Sequence, residues 1–294
     1  VNSGYDYIER LDTRANGQTV LEYLSGRYRH STAECWRERV LAGRVSLDGV
    51  VAVPGQVLRQ GQILCWSRPA WIEPEVPLNF AVIHEDDDLL VVSKPSGLPS
   101  APAGGFLAHT LLSLVREQDP RWAPMHRLGR GTSGLVVFAR APEARCRLQA
   151  AWREGGVERR YRALATGSMP DAPLTITAPI GPVEHPLLGW LHSATPEGRP
   201  AHTEVRRLAL RAGNSLVEIR IATGRTHQIR IHLAFAGYPL VGDPLYGEGG
   251  RARPETTALP GDLGYQLHAW QLAFEHPRTR TRIEFEAPTP PGLA

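Results

Sequence analysis

Residues 126–134 read His-Arg-Leu-Gly-Arg-Gly-Thr-Ser-Gly and gather a histidine, two arginines and two hydroxyls in one short run. Arginine presents a planar fork of donors suited to bidentate phosphate contacts and to stacking on bases. Ser133 with His126 as its base would suggest acyl transfer. No Gly-x-Ser-x-Gly elbow surrounds that serine, however, and no third group is identifiable. His227 and His232 are five residues apart, which puts them on opposite faces of a strand or well apart on a helix and argues against a shared metal ion. Asp86, Asp87 and Asp88 are consecutive, so their carboxylates diverge, and they read as a solvated turn before a strand. Cys35, Cys65 and Cys146 are too scattered for a disulfide framework or a Cys-x-x-Cys site and read as bland thiols.

Five further segments accompany that run. His84-Glu-Asp-Asp-Asp-Leu-Leu-Val-Val-Ser-Lys-Pro-Ser-Gly-Leu-Pro comes first, then the run at 126–134, then Arg159-Arg-Tyr161-Arg-Ala-Leu, then Gly224-Arg-Thr-His-Gln-Ile-Arg230-Ile-His-Leu. Gly242-Asp-Pro-Leu-Tyr-Gly and Leu267-His-Ala-Trp follow. In this order and with these gaps they resemble the RluA-type pseudouridine synthases, whose central motif is His-Arg-Leu-Asp-x-x-Thr-Ser-Gly. The resemblance covers nearly all of residues 80–290.

It implies an α+β fold built on a mixed, largely antiparallel sheet with flanking helices and a cleft across it. It also implies conversion of uridine to pseudouridine in ribosomal or transfer RNA, with no cofactor and no metal. The uridine must leave its stack, at a cost of a few kcal/mol, before its glycosidic carbon can be reached. By resemblance Tyr161 packs against the flipped base, Arg230 pairs with the catalytic aspartate, and Arg127 and Arg130 hold the RNA backbone. His126, Thr132, Arg159, Arg225, His227 and Gln228 complete the expected RNA-contacting set. Gly131 and Gly224 read as turn residues approaching RNA closely, since no Gly-Lys-Ser/Thr follows either.

Gly129 stands where that family keeps its aspartate. An ionised carboxylate can act as a nucleophile or help the base depart, and a hydrogen atom cannot. Losing such a group costs on the order of ten-thousand-fold in rate. Arg230 would then face the site and require another anion: a carboxylate from elsewhere, an RNA phosphate or a bound salt anion. Asp243 is not expected to replace the missing group, because the family's aspartate coexists with its counterpart. Two readings stay open: a synthase that works with Gly129 at the nucleophile position, and a non-catalytic RNA-binding protein that recognises or remodels structured RNA.

The elements that position these residues are partly legible. Leu89-Leu-Val-Val-Ser and Leu135-Val-Val-Phe-Ala are apolar runs of strand length. Pro142 to Trp152 reads as a helix that Gly155 ends, and Val157 to Ala165 as a returning strand. Residues 168–200 and 247–264, rich in Gly and Pro, read as long loops. Upstream, Ser31 or Thr32 caps a helix over 32–42, with Glu34 placed to reach back to Ser31 and with Ala33, Trp36 and Val40 at helical spacing. Arg37 and Arg39 fall on its other face. Gly43 stops it, and Arg44-Val-Ser-Leu-Asp-Gly leads into an Asp-Gly turn. This pattern, followed by Leu58-Arg-Gln-Gly-Gln-Ile-Leu, resembles the small α/β RNA-binding module named after ribosomal protein S-four, so Arg37, Arg39 and Arg44 are its candidate RNA contacts. Proline at 69, 74 and 77 marks a linker. The expected division is 1–70 for the module, 71–79 for the linker and 80–294 for the catalytic-type domain.

The 294 residues, 42% hydrophobic and 21% charged, describe a globular chain long enough for two domains. The formal net charge is only +3, and the wealth of Arg, Gly and Pro is equally the mark of a GC-rich genome. No apolar run approaches the roughly 18 residues of a membrane span, and the start lacks a signal region. A cytoplasmic, monomeric protein with RNA as its partner and no membrane association is expected.

Overall fold

A computed structural model describes residues 1–28 and 30–294 and divides into two compact units, Val1–Glu73 and Pro74–Ala294. The first unit carries β1 (Tyr5–Arg10), α1 (Val20–Arg27), α2 (Ala33–Leu41), β2 (Val45–Leu47), β3 (Val50–Val51) and β4 (Ile63–Arg68). Its sheet runs β1-β4-β2-β3, antiparallel throughout. Leu24, Trp36, Val40, Val45 and Leu58 are buried at its core. Asp48 and Gly49 both take positive φ between β2 and β3, the geometry an Asp-Gly hairpin turn needs.

Several details of this unit add to or differ from the sequence reading. Thr32, not Ser31, caps α2, accepting from the Cys35 amide, and the reciprocal capping box belongs to Thr19 and Glu22 at α1. Ala33 stays exposed while Trp36 and Val40 pack. The residues expected to form a linker are not all free of the unit: Asn2 accepts from the Trp71 amide, donates to the Trp71 carbonyl and bonds Glu73.

The second unit carries β5 (Ala81–Glu85), β6 (Leu89–Lys94), α3 (Leu111–Gln118), β7 (Ala123–Pro124), β8 (Ser133–Ala139), α4 (Pro142–Glu154), β9 (Glu158–Ala165), β10 (Leu174–Ile176), β11 (Ile180–His185) and β12 (Gly189–Ala194). It continues with β13 (Thr203–Arg211), β14 (Asn214–Ile221), α5 (Gln228–Phe235), β15 (Leu267–Glu275) and β16 (Arg282–Glu286). The main sheet runs β10-β13-β14-β9-β15-β8-β6-β5, with β16 beside β15 and β7 beside β8. Its pairings are antiparallel except that of β15 with β8, which makes the sheet mixed. Both faces are covered. Leu90, Val92, Val136 and Phe138 share a core with Leu111 and Val115 of α3, while Leu89, Val91, Leu135 and Val137 share one with Ala144 and Leu148 of α4. A strand buried on both sides reads as a continuous apolar run, which is why β6 and β8 stand out in the sequence without alternation.

Where β15 meets β8, a side chain on Gly134 would lie 2.2 Å from the Ala269 carbonyl oxygen, and its φ is +109°. Only glycine fits there. Residues 168–200 are not one loop: they hold β10 and the β11–β12 hairpin, whose register His185↔Gly189 to Ile180↔Ala194 supplies the backbone pairing that Pro and Gly content obscured. Nor is the acidic run at 86–88 simply solvated. Asp86 accepts from the Asp88 and Leu89 amides and from His84 and His276, and Asp88 is buried against Arg278. No helix among the described residues is long and apolar enough to cross a membrane.

Candidate active site

Two sequence motifs meet to shape the loop at 126–132. The buried Lys94 amine donates to the carbonyls of Pro95, Leu98 and Arg130 at 2.9, 2.7 and 3.3 Å. Burial pushes this amine down to about 7, yet three carbonyl acceptors match the three donors of an ammonium, so the geometry is that of the charged form. Ser96 donates to the Gly131 carbonyl, and Ser100 both donates to and accepts from the backbone of Leu128. The Lys-Pro-Ser-Gly-Leu-Pro-Ser turn thereby fixes the backbone of residues 128–131.

Beside that loop lies a cavity of about 600 Å³, within the range that holds a nucleoside-sized ligand. Arg127, Gly129 and Thr132 line it from the loop, Trp152 and Arg153 from α4, Arg159 and Tyr161 from β9, and Arg225, His227 and Arg230 from the segment leading into α5. Arg159 and Tyr161 share a face because strand side chains alternate. No aspartate or glutamate is among the described residues lining the cavity. Arg127, Arg153, Arg159 and Arg225 form no ion pair with a carboxylate among the described residues. Arg159 is only 8% exposed; its Nη2 donates to the Ala222 carbonyl while Nε has no partner. Burial pulls its cation downward in pKa. A desolvated guanidinium with unused donors is a site for an anion.

Arg230 is not left unpaired. Its Nε and Nη2 donate to Asp243 at 2.7 and 2.8 Å, and Nη1 donates to the Pro260 carbonyl. Burial alone would raise the Asp243 carboxyl. Hydrogen bonds and charge from Arg230, with the Leu245 and Tyr246 amides, bring it below the ordinary range instead. Asp243, 4% exposed, is no part of the cavity wall. It is the counter-ion of Arg230, a role not expected for it from the sequence.

Other expected contacts are committed to the protein itself. Gln228 accepts twice at Oε1, from Thr223 and the Arg225 amide, and donates twice at Nε2, to His202 and Thr203. Its amide is saturated, so it shapes the loop and has no donor left for RNA. His126 accepts from the Val137 amide through Nε2 and stacks on Trp152 at 5.2 Å; burial, aided by Arg159, pushes it down to about 4. Arg130 lies outside the cavity wall, over Phe106. Arg225 bonds the Pro200 carbonyl through Nε. Space beside Gly131 and Gly224 is taken by Tyr265 and Arg159 of this chain. In the first unit Arg37 and Arg44 are exposed, whereas Arg39 is held between the rings of Trp36 and Trp66 at 4.5 and 4.8 Å and bonds Ser31.

His227 opens α5 at φ +54°. The Tyr246 hydroxyl donates to the His192 carbonyl, so its oxygen receives the Nδ1 proton of His227 at 2.7 Å, leaving Nε2 as an acceptor. Burial, then the charge of Arg230, pushes His227 down to about 3, so the ring is neutral. His232 is buried among Thr203 and the Ala178 carbonyl, remote in role from His227. Ser133 pairs with His268, not with His126.

Tyr265 lines the cavity as well, and the sequence reading passed over it. It is 5% exposed, its ring lies 4.2 Å from the Arg230 guanidinium, and its hydroxyl is 3.4 Å from Thr132 Oγ1. It sits two residues before Leu267-His-Ala-Trp, but nothing in its own spacing ties it to position 129. Trp152 and Arg153 were missed for a similar reason: they read as the end of a packing helix.

The model of the RNA pseudouridylate synthase family matches residues 88–235. An uncharacterized RNA pseudouridine synthase of Synechocystis is 42% identical over 93% of this chain and 95% of its own length. RNA pseudouridine synthase 5 of Arabidopsis thaliana is 36% identical over 100% and 95%, and ribosomal large subunit pseudouridine synthase D of Vibrio vulnificus 34% over 87% and 83%. Among solved structures, human RNA pseudouridylate synthase domain containing 1 superposes with a TM-score of 0.58 at 28% identity, over 76% of this chain and 89% of that one. Human RNA pseudouridylate synthase domain containing 4, at 22% identity and TM-score 0.56 over 72% and 90%, shares the fold.

Proposed function

The chain belongs to the RluA-type family of RNA pseudouridine synthases, and from that premise we propose that it isomerises a uridine of ribosomal or transfer RNA in the cavity around Gly129, without an aspartate at that position. The observation that carries this reading is the cavity wall: four arginines with no carboxylate partner among the described residues line it together with Tyr161. Such a wall suits a nucleotide drawn out of its stack, with Arg127, Arg159 and Arg225 for the phosphates and Tyr161 against the base. His227 Nε2 offers an acceptor for a ribose hydroxyl or a base N–H. Arg230, tied to Asp243, supports the wall.

The first unit serves as the RNA-binding module resembling that of ribosomal protein S-four. Arg37 and Arg44 supply exposed cations, and Arg39 stiffens the aromatic cluster beside them. The protein works as a cytoplasmic monomer.

The absence of a carboxylate from the wall favours the second reading, RNA binding without turnover, and one experiment separates the two. RNA from a strain lacking the protein is incubated with the wild-type chain and with Arg159→Ala, and pseudouridine is quantified. Pseudouridine from wild type and a steep loss with Arg159→Ala support the synthase. RNA bound tightly by wild type but left unmodified supports the binder.

A further inference from the structure

We propose that the Tyr265 hydroxyl is the proton-transfer group of the reaction centre and that Gly129 and Gly131 exist to make room for it; this rests on the synthase reading above. A Cβ on Gly129 would lie 3.1 Å from Tyr265 Oη and 3.5 Å from Thr132 Oγ1. A Cβ on Gly131 would lie 2.9, 3.0 and 3.1 Å from Cζ, Cε1 and Oη of the same ring. The phenol therefore occupies the space into which a side chain at 129 would project. Its ring faces the Arg230 guanidinium at 4.2 Å, and Asp243 holds that guanidinium through Nε and Nη2.

Uridine and pseudouridine differ by one proton and one bond: the proton at C5 of the one stands on N1 of the other. A single hydroxyl can balance that exchange. As the C1′–N1 bond breaks, its electron pair goes to N1 and the Tyr265 proton goes to the uracil, leaving a phenolate beside an electron-poor C1′. The base turns, the C5–C6 π pair forms the C5–C1′ bond, and the C5 proton passes to the phenolate. Tyrosine is restored and nothing else is consumed. The Arg230 face stabilises the phenolate while it lasts, and its negative charge stabilises C1′ across the short gap.

The test uses the full chain and RNA from a strain lacking it, labelled with tritium at uridine C5, so that each turnover releases label. Wild type, Tyr265→Phe and a chain carrying 3-fluorotyrosine at 265 alone are compared in single-turnover release, RNA affinity and thermal midpoint. The proposal expects Tyr265→Phe to bind RNA within about twofold of wild type and to lose about 10²–10⁴-fold in rate, the range for removing a general acid–base group. Fluorination, which acidifies the phenol without enlarging it much, should move the pH–rate profile to lower pH. Wild-type release by Tyr265→Phe, or an unmoved profile if that variant fails to fold, overturns the role of Tyr265 and leaves the synthase intact. Absence of release from wild type on RNA that it binds overturns the synthase reading itself, and this proposal with it.

Discussion

Arg230 and Asp243 form a two-pronged ion pair whose side chains are 2% and 1% exposed. Removing one partner of a buried pair strands the other charge, which costs about 3–5 kcal/mol. Arg230→Ala and Asp243→Asn should therefore each lower the unfolding free energy by that order, and a combined Arg230→Met/Asp243→Leu chain should be more stable than either single variant. Urea melts of the four proteins measure this. A double variant no more stable than the single ones would show that the two side chains do not act as a pair.

That pair also marks how far the sequence carries. The apolar runs of β6 and β8, the proline-started and glycine-ended α4, and the Asp-Gly turn were legible because each is set by local patterning or by a backbone angle few residues adopt. The partner of Arg230 was not, since the Arg230–Asp243 contact depends on how the segment after α5 folds back. Tyr265 was invisible for the same reason: its distance from Gly129 is 136 positions along the chain and a few ångströms in space. The β11–β12 hairpin was hidden because Pro and Gly suppress strand signals even where the backbone pairs.

The two glycines of the 126–134 run should respond differently to the same methyl group. At Gly131 the added carbon falls within about 3 Å of two ring carbons and the hydroxyl oxygen of Tyr265, and at Gly129 it meets only that hydroxyl and Thr132. Overpacking of the first kind costs about 1–3 kcal/mol. Gly131→Ala should accordingly lose stability and RNA-modifying rate together, while Gly129→Ala loses less stability. Gly129→Asp, which would supply the carboxylate that the sequence resemblance implies, drives it against the phenol and should not by itself exceed wild-type turnover. Thermal melts and pseudouridine assays on the three variants check this, and equal destabilisation by both alanines would contradict the assigned ring position.

Acid should weaken the fold well before its carboxylates protonate. His126 and His227 are held down to about 4 and about 3 by burial, with Arg159 and Arg230 adding to it, and burial holds His268 at about 4. In the unfolded chain these rings protonate near pH 6.5. Between pH 6.5 and about 3 the unfolded state thus binds more protons, so their contribution is present above pH 6.5 and is lost as pH falls, by at most about 1.4 kcal/mol per pH unit for each ring. The midpoint of thermal unfolding should drop from pH 7 to pH 5, and less steeply in His126→Gln. A flat profile over that interval would mean that the rings are not neutral in the fold.

Arg127 provides the cleanest probe of the cavity as a phosphate site, because it is exposed and unpaired with any described carboxylate. A phosphate contact contributes through counterion release and carries no sequence information. Arg127→Ala should therefore weaken binding to all RNAs alike and lower the slope of log affinity against log salt by about 0.7–0.9. Arg159→Ala should reduce the slope similarly but act more strongly on the modified RNA, since that guanidinium is desolvated beside Tyr161. Binding isotherms at several salt concentrations separate the two effects, and an unchanged slope for Arg127→Ala would remove the phosphate from that side chain.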